Sequence, residues 1–431
     1  LRIGGKVDLE PAVSGEIRSQ LWDIGGADVM VAIPAYNNEA SLSNVMKVVA
    51  EGLSTFFADM KSVLFVCEGG SLDETKNVAR MTDVGLTVNK VVGTYRGEPG
   101  KGNALRAVFF AALELGVKAC AIIDADIRSV TPDWVNNLLA PAAREGYDFV
   151  TPLYKRHKFD GTITNVIVYP VVTALYGKRL RQPIGGDFGF SSSFLLTLAK
   201  QDVWDMFVGQ FGIDVWMTVS ALTGGARICQ ANLGAKVHSA KDPAFSLGPM
   251  YLHVLSTVFR SMTKFHDYWL GVGTFEDVPV KGTALPWEPE PIPISVTRLV
   301  DEFNMGMTHF SSLYREILSD DSYRRLEQIA GSEVCHPEGY CDFYMPPDLW
   351  ARIVYDIGIM FNCWQGDTHK LIDLSSPLYF GKVASVANRT MQLTYDEAEK
   401  VIDDNLRAFE NEKVYLVERW KDLGAGKVCS M

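Results

Sequence analysis

Short apolar runs alternate with amphipathic stretches through the first 150 residues. Val29–Ile33, Val63–Val66, Ala119–Ile123 and Asp148–Leu153 have the length and near-continuous apolarity of buried parallel strands. Between them, Ser41–Phe57, Asp73–Met81 and Lys101–Leu115 repeat apolar residues at helical spacing, with Ser41 placed to cap the first. Thr131-Pro132-Asp133 opens a further helix running to about Arg144, with Thr as cap, Pro in the first turn and an acid near the positive end of the dipole. The alternation predicts βαβ units, a mostly parallel sheet, and a ligand site at the carboxyl ends of its strands.

After residue 250 the period becomes helical. Tyr251–Trp269, Val296–Leu318, Leu349–Trp364 and Thr394–Lys421 read as helices, and Thr394-Tyr-Asp-Glu397 has the spacing of a capping box. Pro286-Trp-Glu-Pro-Glu-Pro-Ile-Pro293 is too rich in proline for a helix interior and reads as extended. The expected organisation is an arm over 1–27, an α/β domain of Rossmann-like βαβ units over 28–250, and a mainly helical region over 251–431.

Composition narrows the class. With 431 residues, 47% hydrophobic and 22% charged, the chain can bury a large core without a disulfide or metal staple. A net charge of −11 disfavours nucleic acid and anionic membrane surfaces as partners. The seven cysteines are odd in number and scattered, which fits reduced thiols and a cytoplasmic protein. Cys335, His336 and Cys341 lie close in sequence but lack the second pair of a usual zinc site. The longest apolar run, Val166–Tyr176, is interrupted by Pro170 and Thr173. It falls short of the ~18 residues a membrane span needs, so no span is expected.

The chemistry gathers at strand ends. Ala121-Ile-Ile-Asp-Ala-Asp126 closes an apolar strand on two aspartates one residue apart, which therefore point the same way. Such carboxylates repel each other unless a cation joins them, and hard oxygen ligands suit Mg²⁺ or Mn²⁺ carrying substrate phosphates. The alternative is an acidic loop before the next helix. Pro34-Ala-Tyr-Asn-Asn-Glu39 follows the first strand and Cys67-Glu-Gly-Gly-Ser71 ends the second. Gly97-Glu-Pro-Gly-Lys-Gly-Asn103 brings Lys101 to a helix start, where free backbone N–H groups would suit a phosphate.

Taken in order, Pro34-Ala-Tyr-Asn-Asn-Glu39, Glu68-Gly-Gly-Ser71, Gly100-Lys-Gly-Asn-Ala-Leu105 and Asp124-Ala-Asp126 resemble the nucleotide-sugar half of GT-A glycosyltransferases. Gly161-Thr-Ile-Thr-Asn165, Pro183-Ile-Gly-Gly-Asp-Phe-Gly189, Gly212-Ile-Asp-Val-Trp216 and Val237-His-Ser-Ala-Lys-Asp-Pro243 narrow the resemblance. They resemble the retaining enzymes that make glucosyl-3-phosphoglycerate, with their glucosylglycerate and mannosylglycerate relatives. The match covers roughly residues 28–250 and is specific as an ordered set.

The resemblance implies a cytoplasmic hexosyltransferase that moves a hexose, glucose first among them, from UDP or GDP to glycerate or 3-phosphoglycerate. It implies that Pro34, Ala35, Tyr36, Glu39, Ser71, Lys101, Asp124 and Ala125 bind the donor. Asp126 and His238 would ligate Mg²⁺ or Mn²⁺, and Asp126, Lys101, Asp187 and Asp214 would carry the catalysis. Thr162, Thr164, Asn165, Gly185, Gly186 and Arg156 would meet a small anionic acceptor, and a homodimer is expected by analogy. Retention would run either through a carboxylate nucleophile, Asp187 or Asp214, or by same-face attack of the acceptor hydroxyl.

One departure bears on the acceptor. The relatives carry an arginine just before the threonine segment, whereas Gly161-Thr-Ile-Thr164 has none, and arginine is the residue best suited to bidentate phosphate recognition. Lys155, Arg156, His157 and Lys158, or Lys178, Arg179 and Arg181, are the candidates to replace it. Three alternatives stay open: mannosyl transfer, an inverting polysaccharide-type transferase of the same fold, and a non-catalytic nucleotide-sugar-binding protein.

Overall fold

The computed structural model describes residues 12–238, 248–283, 288–331 and 342–423. Among the described residues ten strands occur: β1 Val29–Ala35, β2 Ser62–Glu68, β3 Val88–Thr94, β4 Ala119–Ile122, β5 Phe149–Lys155, β6 Lys178–Arg179, β7 Phe188–Ser191, β8 Ile228–Ala235, β9 Glu276–Asp277 and β10 Val280–Lys281. The first eight helices are α1 Gly15–Ile24, α2 Leu42–Phe56, α3 Thr75–Met81, α4 Lys101–Glu114, α5 Pro132–Arg144, α6 Tyr169–Tyr176, α7 Ser192–Ala199 and α8 Ile213–Thr223.

Eight strands form one sheet in the order β3-β2-β1-β4-β7-β5-β8-β10. All pairings are parallel except those of β7, which runs antiparallel to both β4 and β5. The expected mostly parallel sheet is therefore present. Strands β3, β7, β8 and β10 are additions that the apolar pattern did not announce. β7 is only four residues long, and β3 is an edge strand whose pattern is broken by Asn89 and Lys90. Residues of β1 and β2 are buried almost throughout, since helices cover both faces of a parallel sheet.

The chain divides into two compact units. The first comprises Leu1–Lys155, Leu180–Ser239 and Val278–Pro289, and the second Arg156–Arg179, Ala240–Asp277 and Glu290–Met431. The expectation placed a single boundary near residue 250, whereas these units are each assembled from three stretches of chain. Residues 156–179 group with the helical half, because the apolar run within them packs as a π-helical turn, Thr164–Val168, followed by α6, and every residue of both is buried. In return, Val278–Pro289 supplies the edge strand β10 to the sheet. Within the expected N-terminal arm, α1 packs on β3, where the Gln20 side chain donates to Val92 O (2.9 Å) and accepts from Val92 N (3.0 Å).

In the second unit the expected helices appear with breaks at their polar or aromatic joints. Tyr251–Trp269 divides into Gly248–Lys264 and His266–Leu270, and Val296–Leu318 divides at Phe310. Thr394–Lys421 divides into Tyr395–Asn411 and Lys413–Asp422, and its capping box is formed as expected. The longest described helix, Thr368–Thr390, and the helix Asp320–Ile329 were not legible. Trp350 Nε1 donates to Val166 O at 2.6 Å, tying the helix Pro347–Cys363 to the π-helical turn. No described helix is long and apolar enough to cross a membrane. Cys335, His336 and Cys341 lie outside the described residues.

Candidate functional site

The register of β1 with β2 and β4 sets three strand ends side by side, since Ala35 pairs with Glu68 and Ala32 with Ile122. The turns after these strands therefore share one edge, at the point where the strand order reverses. The turns after β1 and β2 are sewn together: Ser71 Oγ accepts from Asn37 N (3.0 Å), Asn37 Oδ1 from Leu72 N (2.9 Å), and Glu39 Oε2 from Glu74 N (2.9 Å). Ser71 and Glu39, expected at the donor, are thus engaged in shaping this edge. Pro34 and the buried Ala35 end β1, and Tyr36 stands 49% exposed beyond them. Glu68, quoted in the sequence motif but given no role there, is buried under the turn. Burial pushes its carboxyl up, but bonds from Ser71 and Thr94 outweigh this and hold it below the usual range.

Two helix starts differ from expectation. The hydroxyls of Ser41 and Thr131 make no cap bond. Ser41 Oγ instead donates to Ala125 O at 2.8 Å and so fixes the turn of Asp124-Ala125-Asp126. At the start of α4, Gly102 N donates to Gln210 O (3.1 Å), Asn103 N to Gly209 O (2.9 Å) and Gly100 N to Tyr95 Oη (2.8 Å). A Cβ on Gly102 would stand 1.8 Å from Val208 O, so only glycine lets the 207–210 loop come this close. These amides are already satisfied. The expectation of amides free for a phosphate therefore fails at Gly100, Gly102 and Asn103, and the Lys101 side chain is what the helix start contributes.

Lys101 enters a buried cluster of three carboxylates and two ammonium groups. Its Nζ lies 3.0 Å from Asp124 Oδ1, 3.3 Å from Gly186 O and 3.4 Å from Asp214 Oδ1. Lys236, which the sequence reading missed, places Nζ 3.1 Å from Asp124 Oδ2, 2.9 Å from Asp187 Oδ2 and 2.8 Å from Gly185 O. Asp187 further accepts from Asp124 N (2.8 Å) and from the Tyr154 hydroxyl, and Gly186 N donates to Asp214 Oδ2 (3.0 Å). Gly186 has φ +90°, and a Cβ there would lie 2.0 Å from Asp124 Oδ2, so the turn requires glycine.

Burial disfavours every charge here, and the ion pairs offset that cost to different degrees. For Asp124, Lys101 and then Lys236 outweigh burial and hold the carboxyl well below its ordinary range. Burial wins at Asp187 and at Asp214, whose carboxyls are pushed up despite Lys236 and Lys101 respectively. Lys101 is held above the usual lysine range because Asp124 and Asp214 overcome its burial.

Asp187 has no exposed surface, and both its oxygens are occupied. Of the expected catalytic residues it faces inward and organises its neighbours. Gly185 and Gly186 belong to the same cluster, as acceptors for Lys236 and Lys101. Thr162, Thr164, Asn165 and Arg156 lie in the second unit. There Thr162 Oγ1 bonds the Tyr379 hydroxyl (2.5 Å), Asn165 Nδ2 donates to Asp160 O (2.9 Å), Arg156 pairs with Asp160 (3.2 Å), and Thr164 is buried in the π-helical turn.

Asp126 is partly exposed at the sheet edge. The loop after it is tied to the segment leading to His238: Arg128 N donates to Val237 O (2.8 Å), Val237 N to Ser129 Oγ (2.9 Å), and Ser129 Oγ to Ala235 O (2.7 Å). No group of three or more His, Cys, Asp or Glu side chains able to hold a metal occurs among the described residues. A carboxylate and an imidazole fit Mg²⁺ or Mn²⁺ when phosphate oxygens and water complete the shell. Asp124 is engaged differently here, each of its oxygens taking one ammonium.

The sheet and its charged edge define an α/β protein with a candidate ligand site at the topological switch point. No family model matches the chain, and no curated protein matches it. Among solved structures it is similar to glucosyl-3-phosphoglycerate synthase from Mycobacterium tuberculosis. The complex of that protein with Mn²⁺, UDP-glucose and phosphoglyceric acid is 23% identical, covering 57% of this chain and 83% of that one, with a TM-score of 0.42. The complex with Mg²⁺ and UDP is 24% identical, covering 60% and 84%, with a TM-score of 0.43. The complex with Mn²⁺, UDP and glucosyl-3-phosphoglycerate is 20% identical, covering 68% and 95%, with a TM-score of 0.42.

Proposed function

We propose that the chain is a metal-dependent retaining hexosyltransferase that uses a UDP- or GDP-activated hexose, glucose first among them. Its acceptor is a small hydroxy acid, glycerate or 3-phosphoglycerate. The observation that carries this reading is the convergence of Lys101, Asp124 and Asp214 beside Asp126, at the strand edge where Tyr36 stands exposed. It agrees with the order of motifs in the sequence.

Glycosyl transfer breaks an anomeric C–O bond while negative charge grows on the leaving diphosphate. Asp126 and His238 would hold Mg²⁺ or Mn²⁺, which would supply Lewis-acid stabilisation of that charge. The face of Tyr36 is available to the base. Lys101, held by Asp124 just inside this edge, adds its positive charge to the developing anion once it turns towards it. Asp187 is closed to a sugar, and Asp214 accepts from Gly186 N and pairs with Lys101. Neither is a free nucleophile, which favours same-face attack with a diphosphate oxygen taking the acceptor proton.

The test measures UDP and GDP release from a panel of nucleotide sugars with Mg²⁺ or Mn²⁺, with D-glycerate and 3-phosphoglycerate supplied separately. Acceptor-dependent release that is lost in Asp126→Ala is the expected result. Donor binding without acceptor-dependent release would leave a nucleotide-sugar-binding protein, and binding of neither nucleotide would overturn the reading.

A further inference from the structure

We infer that Lys236 is a positioning residue that sets how available Lys101 is to an incoming anion, and this rests on the donor reading above. The two lysines share Asp124, one on each carboxylate oxygen, but they are not equivalent. Lys236 is 4% exposed, and its three N–H donors are matched by three acceptors at 2.8, 2.9 and 3.1 Å. Its ammonium also lies 4.9 Å over the ring of Tyr154, which closes the remaining side. Lys101 is 16% exposed, and its contacts stretch from 3.0 to 3.5 Å. The first is a buried cation with every donor used. The second can leave its partners.

Charge counting gives the consequence. Asp124, Asp187 and Asp214 against Lys101 and Lys236 leave one formal negative charge in a buried place. An anion arriving at the strand edge must draw Lys101 away from Asp124 and Asp214. Lys236 makes that affordable, because it continues to neutralise Asp124 and Asp187 after Lys101 turns outward. Without Lys236, two carboxylates would compete for the Lys101 ammonium and hold it inside, since buried charges interact far more strongly than exposed ones. Asp187 extends the control to the backbone. It accepts the Asp124 N–H and Lys236 at once, so the ammonium also fixes where the strand end points.

The experiment has one readout without a ligand and one with it. Acetylation of lysines by N-hydroxysuccinimidyl acetate, resolved by peptide mass spectrometry, reports how free Lys101 is. Lys236→Met should slow labelling of Lys101 several-fold, and Lys236→Met combined with Asp187→Asn, which restores the charge balance, should return it towards wild type. Asp187→Asn alone should act in the opposite direction, because Lys236 then leans on Asp124 and releases Lys101. This arm stands even if Lys236→Met does not fold.

In calorimetric titrations with UDP and Mn²⁺, Lys236→Met should bind about tenfold more weakly, the scale of one charge-assisted hydrogen bond. Lys236→Arg and the balanced double variant should recover most of the loss. A side chain that merely supported the fold would not respond to the charge of its neighbour. Wild-type labelling of Lys101 in Lys236→Met, or a double variant no better than the single one, would overturn the inference. If the wild type binds neither UDP nor GDP, the donor reading falls, and the labelling still decides the role of Lys236.

Discussion

Asp187 Oδ1 accepts the backbone N–H of Asp124 at 2.8 Å, joining the residue just before β7 to the second residue beyond β4. Because β7 runs antiparallel to β4, these two ends meet at the same edge of the sheet. One buried carboxylate thereby fixes a backbone position, an ammonium and a tyrosine hydroxyl.

Asp187→Ala should therefore be among the most destabilising single changes in the first unit. It leaves Lys236 short of a counter-charge and Asp124 N without its acceptor. Breaking one side of a buried ion pair costs about 3–5 kcal/mol. Urea unfolding at neutral pH measures it, and a loss below about 1 kcal/mol, the range of an exposed pair, would contradict the arrangement.

Gly186→Ala should lower the thermal midpoint and weaken anion binding together. The backbone conformation costs an L-residue about 1–3 kcal/mol, and the new methyl would displace the carboxylate that both lysines share. Differential scanning fluorimetry and nucleotide titration on the same preparation check the two effects. Normal nucleotide binding in a folded Gly186→Ala protein would separate this turn from the site.

Ser41→Ala removes a single bond, from Ser41 Oγ to Ala125 O. The expected cost to stability is about 1 kcal/mol, as for an ordinary hydrogen bond. The turn that carries Asp126 loses its anchor, so metal-dependent turnover should fall more than stability does. Equal retention of both kcat and metal affinity would show that the anchor is dispensable.

In the second unit, Lys382 is buried and bonds Met345 O at 3.2 Å; burial, reinforced by Arg389, lowers its ammonium to about 7. An unfolded lysine titrates near 10.4. Between these values the unfolded chain binds the proton more readily than the folded one, so stability rises with pH across this window. Lys382→Met should remove that part of the slope, gaining most over wild type near pH 7 and least near pH 10. Urea unfolding at several pH values measures the difference, and parallel profiles for the two proteins would refute it.

What the sequence determined was local. The apolar runs of β1, β2, β4 and β5 are near-continuous because a parallel strand is covered on both faces, so burial alone writes them into the chain. The two aspartates at the end of β4, Lys101 at a helix start, and the Thr394 capping box are short-range patterns whose meaning lies within a few residues. Tertiary structure decided what those residues face. Lys236 reads as an ordinary lysine after a strand, and only the β5–β8 pairing and the turn at Gly185–Gly186 bring it to Asp124 and Asp187. Ser41 sits at a cap position yet bonds Ala125, and two first-turn amides of α4, those of Gly102 and Asn103, are taken by a loop more than 100 residues further on. The exchange of residues 156–179 and 278–289 between the units is likewise unreadable along the chain. Burial is a property of each segment and leaves a periodic trace. The partner of a buried charge is chosen by the fold and leaves none.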